Sequence, residues 1–368
     1  MIKKILLLVT FFYFQWGFAQ NAVLSDNSKI SLLTCGSGSE LYSAFGHTAL
    51  RIQDPSIGLD VVYNYGTFDF RTEHFYLKFI KGDLNYFVSI STFTDFITEY
   101  QYDQRSVVEQ ILKLSLIQKQ DLFDKLNASL YSEERFYTYK FIDQNCTTMV
   151  LDKLNQTIKN KTIVKTAAVN LSYREVLYPY FEDYYWFKLG INIIFGAPTD
   201  VAATQLFLPI ELQNSVEKLV VNKEPIVEKT QILVEGQTQQ RPFSFLNSGY
   251  FFGLLLLLIG LSRSSKIYYI YLFLLGAIGL FFSFAGLYSY HKEITWNYHI
   301  LLFNPLFVLF PFIYKTRYFK KLLLVCGLCL GLFILYVLTL PQLVLISPII
   351  LLNIWMLWFF YKKLNKLK

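Results

Sequence analysis

Along the first two thirds of the chain apolar and polar residues alternate in short runs; in the last third long apolar stretches take over. Alternation at period two predicts strands, and spacing at three to four predicts helices. The run 29–35 reads as a strand and 36–40 as a loop. Residues 41–45 lead into a second alternating run, Ala44-Phe-Gly-His-Thr-Ala-Leu-Arg51. After a turn at 54–58, residues 61–68 form the next strand, and the short spacing predicts an antiparallel hairpin. Segments 75–80 and 84–90 read as short aromatic strands or turns, and 93–100 as a small helix. Residues 106–116 read as a strand, 117–130 as an amphipathic helix and 134–140 as an extended run. A helix follows from Asp143, a good N-cap, and Asp200 is a candidate cap for a helix starting at Val201. The expectation is an exported α+β domain, an antiparallel sheet plus a cysteine-bearing helix, over residues 20–222. Polar residues 223–242 read as a linker.

From residue 243 the pattern predicts a transmembrane domain of five helices, at about 243–261, 267–287, 297–314, 322–340 and 343–361. Each approaches the ~20 residues that cross ~30 Å of hydrocarbon. The third carries a polar kink, Asn304-Pro305. Composition agrees: 54% of residues are hydrophobic and 18% aromatic, too apolar for a simple soluble protein. At the other end Lys3 and Lys4 precede an apolar run, and Gly17 and Ala19 precede Gln20 as a cleavage site would require. Residues 1–19 therefore read as a secretory signal peptide, with an uncleaved anchor as the alternative.

The net charge of +7 is unevenly distributed. From Pro242 on, eleven basic residues and one acidic residue give +10, so the rest of the chain is acidic on balance. This excludes a nucleic-acid-binding role, because the positive charge belongs to membrane loops. Arg263 and Lys266, then Lys315 to Lys321, then Lys362 to Lys368 fall on one side of the spans. Positive-inside places the C-terminus in the cytoplasm and the N-terminal domain outside. The outward loop 288–297 carries His291 and Trp296 at headgroup level, as substrate contacts or as interface anchors. The stretch 178–187 is unusually aromatic, suited to the bilayer interface or to core packing.

The candidate chemistry centres on Cys146, in the first turn of the helix after Asp143. Met149, Val150 and Leu154 share its face. Alone, such a cysteine reads as an inert core residue. Paired with a strand histidine in an exported domain it reads as a nucleophile, since a helix N-terminus favours a thiolate and His47 can act as base. Asn64, on the hairpin partner of the His47 strand, is the candidate third group, or else a residue of the strand itself. Asn145 is a candidate oxyanion or orienting donor; Tyr63 and Arg51 are candidate substrate contacts. Cys35 and Cys146 are expected to stay free thiols, and Cys326 and Cys329 lie inside an apolar span. The scattered His and acidic residues fit no zinc motif, and no cofactor is expected.

Three runs carry a resemblance: Thr34-Cys-Gly-Ser-Gly-Ser-Glu-Leu-Tyr-Ser-Ala-Phe-Gly-His-Thr-Ala-Leu-Arg51, Val62-Tyr-Asn-Tyr-Gly-Thr-Phe68 and Asp143-Gln-Asn-Cys-Thr-Thr148. Together with Phe195-Gly-Ala-Pro-Thr-Asp200, Leu206-Phe-Leu-Pro209, His291, Trp296-Asn297 and Asn304-Pro-Leu306, they resemble the Lnb family of lipoprotein N-acyltransferases. Gln144 departs from the Asp-Asn-Cys expected there. The histidine-first order also resembles circularly permuted papain-like folds, such as NlpC/P60-type hydrolases and lecithin:retinol acyltransferases. The resemblance implies a periplasmic catalytic domain on a bacterial inner-membrane protein, with Cys146 as nucleophile and His47 as base. It implies a phospholipid acyl donor and a diacylated lipoprotein acceptor, for a monomer that works without a cofactor. A membrane-anchored papain-like hydrolase and a non-catalytic scaffold are the alternatives.

Overall fold

The computed structural model describes residues 22–159, 161–237, 242–314 and 316–365; the expected signal segment 1–19 lies outside these. Strands β1 (Lys29–Cys35), β2 (His47–Asp54), β3 (Leu59–Thr67), β4 (Asn85–Thr92), β5 (Val107–Leu112) and β6 (Phe136–Thr138) join β9 (Val227–Val234) in one sheet. The order is β6-β4-β3-β2-β1-β5-β9, and every neighbouring pair is antiparallel. The short strands β7 (Val220–Val221) and β8 (Glu224–Pro225) pair with each other. The sheet is covered on both faces, and β1 and β2 are accordingly buried along nearly their whole length. On one face Leu32, Leu50 and Tyr63 meet α3 (Leu116–Tyr131) and α4 (Cys146–Ile158) through Leu122, Leu126, Val150 and Leu154. On the other, Leu33, Ala49 and Val62 meet Phe96 and Tyr100 of α2 (Phe93–Tyr102).

Three expectations for this domain are corrected. Segment 75–80 is not a strand but the helix α1 (Phe75–Lys81); Gly82, in the left-handed conformation, ends it by donating its amide to Lys78 and Phe79 carbonyls. Segment 223–242 is not only a linker, because β9 within it completes an edge of the sheet. Further on come α5 (Tyr185–Ile194) and α6 (Pro209–Glu217). No helix begins at Val201, and Asp200 instead accepts from the buried Arg174 at 2.6 Å.

The C-terminal part packs α7 (Gly249–Leu261), α8 (Ser265–Tyr288), α9 (Phe319–Val337) and α10 (Leu343–Asn365) around a phenylalanine-rich core. The last three are long and apolar enough to cross a membrane. The 13 residues of α7 reach only about 20 Å at 1.5 Å each. The third expected span is broken: 292–301 and 305–313 meet at a 50° bend at Asn304-Pro305. The bent segment lies against α8, where a Cβ at Gly279 would stand 1.6 Å from the Phe303 carbonyl oxygen. Only glycine permits that approach.

The two ends of this bundle differ. At one end Lys363 at the end of α10 donates to Ser265 at the start of α8, at 2.7 Å. At the other, the 289–297 loop meets the N-terminal domain. Ser289 Oγ donates to the Ile80 carbonyl at 2.6 Å, and the Tyr290 amide to Lys81 at 2.7 Å. Buried Glu293 accepts from the Ile142 amide at 2.9 Å. The sheet therefore turns the ends carrying His47, Thr67 and Asn85 toward the bundle, and the ends carrying Asp54, Leu59 and Leu112 away from it.

Candidate functional site: a thiol, an imidazole and an amide

Cys146 is the first residue of α4. The cap is Asn145, not Asp143: its side-chain oxygen accepts from the Thr147 and Thr148 amides at 2.9 and 3.1 Å, and Thr148 Oγ1 accepts from the Asn145 amide. Both amide hydrogens of Asn145 are also used, by the Phe141 and Phe207 carbonyls at 2.7 and 2.9 Å. Asn145 is thus a fixed bracket for the helix start, with no donor to spare for an oxyanion. Asp143 pairs with Lys292 at 2.8 Å. Capping consumes the second and third amides of the helix and leaves that of Cys146 itself as the local donor.

His47 opens β2, close enough to Cys146 for its imidazole to draw the thiol pKa down. The Thr48 amide favours the charged sulfur as well, and Thr147 Oγ1 lies 4.0 Å away. Burial works to raise the thiol pKa. The adjacent His47 charge and these polar groups outweigh burial and hold it below its ordinary value. Thr147 is itself positioned by Thr48, the two hydroxyls standing 3.0 Å apart in the core. Behind the ring, Asn64 Oδ1 lies 3.3 Å from His47 Nε2, and the Asn64 amide reaches Ser91 Oγ at 3.3 Å. An Nε2–H donated to that oxygen leaves Nδ1 with the lone pair, the tautomer a base at the sulfur requires.

The space beside the sulfur is made by a bulge in β3, where pairing with β4 shifts between Asn64 and Thr67. Gly66 sits in it at φ +97°, and a Cβ there would stand 3.3 Å from the Cys146 Cβ and 3.9 Å from the Tyr137 hydroxyl. A glycine inside a strand marks a bulge or a close approach, and this one is both. Cys35, paired across from His47 in the sheet, is buried in the opposite core, and burial pushes its thiol up to about 12. It stays protonated and inert, and all four cysteines are free.

The remaining expected site residues separate from this centre. Tyr63 is buried in the core and donates to Asn127 at 2.6 Å. Arg51 is held by Asp60 at 2.7 Å and Glu109 at 3.0 Å, and stacks on Phe93. Both are structural. His291 is buried, with Nε2 2.8 Å from the Phe79 carbonyl, and joins α1 to the bundle. Trp296 is 84% exposed on the loop that follows α8. Sequence reasoning overlooked Thr48, Thr147, Gly66 and Glu293; the glycine within an alternating run was the one available signal. Among the described residues no group of His, Cys, Asp or Glu is arranged to hold a metal ion.

A capped helix-start thiol against a strand imidazole, on an antiparallel α+β domain resting on apolar helices, defines the class: a thiol–histidine domain of a membrane protein. Residues 15–178 match the Lnb N-terminal periplasmic domain. No curated protein and no solved structure matches the chain.

Proposed function

We propose that this protein is a lipoprotein N-acyltransferase of the bacterial inner membrane, working through a thioester on Cys146. The observation that carries the reading is the Cys146–His47–Asn64 alignment at the bundle-facing end of the sheet. In this scheme His47 takes the thiol proton and the thiolate attacks an ester carbonyl of a phospholipid. The Cys146 amide stabilises the oxyanion. Collapse breaks the ester bond; the departing lysophospholipid oxygen takes the proton from His47, and the acyl chain remains on sulfur. The α-amine of a lipoprotein's diacylglyceryl-cysteine then attacks the thioester. His47 accepts the amine proton and returns it to the sulfur as the amide forms.

The papain-like arrangement, five crossings with the bent segment counted as one, and a cytoplasmic C-terminus belong to the same proposal. The clustering of lysines at one end of the bundle supports that orientation, because the catalytic domain docks at the other end. Both substrates are lipids held in a bilayer, which accounts for a thiol centre facing the bundle. The test is the intact mass of the purified protein after incubation with phospholipid vesicles. One added acyl group, absent from Cys146→Ser, is expected. A wild-type protein that never gains it, while releasing free fatty acid at the same rate as Cys146→Ser, overturns the reading.

A further inference from the structure

Helix α1 has an apolar face that none of the described residues covers. Tyr76 is 73% and Leu77 66% exposed, and beside them Phe70 and Tyr42 are 57% and 63% exposed. These side chains are the outer end of a continuous strip of rings. Tyr42 and Phe70 touch Phe68 at centroid distances of 5.9 and 4.9 Å. Phe68 touches Tyr86 at 5.0 Å, and Tyr86 touches Tyr137 at 6.5 Å. Tyr137 stands against Gly66, next to Cys146. The strip thus runs from solvent-exposed rings through the buried Tyr86 and Tyr137 to the neighbourhood of Cys146.

Its outer end is fixed at a definite level. The last turn of α1 is bonded to Ser289, Tyr290 and His291, the residues that follow α8, a helix able to cross a membrane. Lys81 lies 5.5 and 5.6 Å from the Tyr288 and Tyr290 ring centroids. Tyrosines and lysines at the end of an apolar helix mark the headgroup layer. A seven-residue helix held there with tyrosine and leucine outward suits the interface plane.

We propose that α1 and the Tyr42–Phe70 rim are seated in the outer leaflet, and that the Phe68–Tyr86–Tyr137 strip takes an acyl chain of a bilayer phospholipid toward Cys146. The seating stands on geometry alone; the acyl path rests on the acyltransferase reading. Bilayer phospholipid is the occupant because the strip begins where a membrane helix ends.

Two measurements on the full chain in phosphatidylethanolamine–phosphatidylglycerol vesicles test it. A photo-crosslinking amino acid replaces Tyr76 or, as control, Ile117, which is 82% exposed near the far end of the sheet. Phospholipid adducts are expected at 76 and not at 117. Their absence at 76, or equal yields at both positions, overturns the seating whether or not the protein transfers acyl chains. The double variant Tyr76→Ser/Leu77→Ser should slow acyl-enzyme formation from vesicles at least tenfold, with iodoacetamide alkylation of Cys146 unchanged. An unchanged vesicle rate, or equal loss in both assays, overturns the acyl path. Failure of the wild type to acylate removes the acyl path along with the acyltransferase reading, and the adducts still decide the seating.

Discussion

His47 Nε2 and Asn64 Oδ1 stand 3.3 Å apart, on two strands that pair directly. The contact fixes which imidazole nitrogen faces the sulfur. Asn64→Ala should therefore lower the rate of acyl-enzyme formation by roughly 100-fold, since loss of alignment alone can cost that much. Stability should change little, because Asn64 is only half-buried. Mass-resolved acylation kinetics beside a melting curve check this, and an unaltered rate would remove Asn64 from the site.

The pH dependence of the thiol follows from its surroundings. Burial raises the Cys146 pKa, but the His47 charge and the polar groups of His47, Thr48 and Thr147 bring it below the usual 9.0. The charged form is the favoured one, so reactivity should persist at lower pH than for a free cysteine. Alkylation of Cys146 by iodoacetamide, followed against pH, should show a midpoint below 9.0 in the wild type. In His47→Ala the midpoint should move upward, because the opposing burial remains. A midpoint that does not respond to His47 would break the pairing.

Gly66→Ala places a methyl 3.3 Å from the Cys146 Cβ on backbone at φ +97°. Strain of this kind costs about 1–3 kcal/mol. Both the melting temperature and the alkylation rate should fall, whereas Gly58→Ala, with no atom within 4 Å, should leave the alkylation rate intact.

Glu293 receives the Ile142 amide across the junction, three residues before the cap Asn145. Glu293→Ala leaves that buried amide unpaired, at a cost of about 1–3 kcal/mol. Acylation should slow with it, and Glu293→Gln, which keeps an acceptor oxygen, should recover most of both. Equal defects in the two variants would mean that charge, not the hydrogen bond, is what matters there.

The parts of this structure written in local pattern were legible in the chain. The strands around His47 and Asn64 are short apolar runs bounded by turn residues, and the Cys146 helix carries its apolar face at helical spacing. Helix α1 was not legible: it has seven residues, no side-chain cap at His74 and an aromatic sequence that suits a strand equally well. The cap was misplaced by two residues because Asp143 and Asn145 are both good caps, and only tertiary contacts to Phe141 and Phe207 choose between them. Tyr63 and Arg51 lie within the family-like runs, yet their side chains are spent on Asn127, Asp60 and Glu109. The bend at Asn304-Pro305 was visible as a polar kink, but its degree depends on the glycine of α8 that admits it.

Strand β9 is the last piece of the exported domain to leave the ribosome, and it closes the outer edge of a sheet whose other six strands come earlier. Final closure of this domain thus has to await translocation of residue 234, which precedes the start of α7 at Gly249. A soluble fragment ended at residue 222 would bare the hydrogen-bonding edge of β5 and invite chain-to-chain pairing. Expression work on the isolated domain should therefore keep residues through Val234.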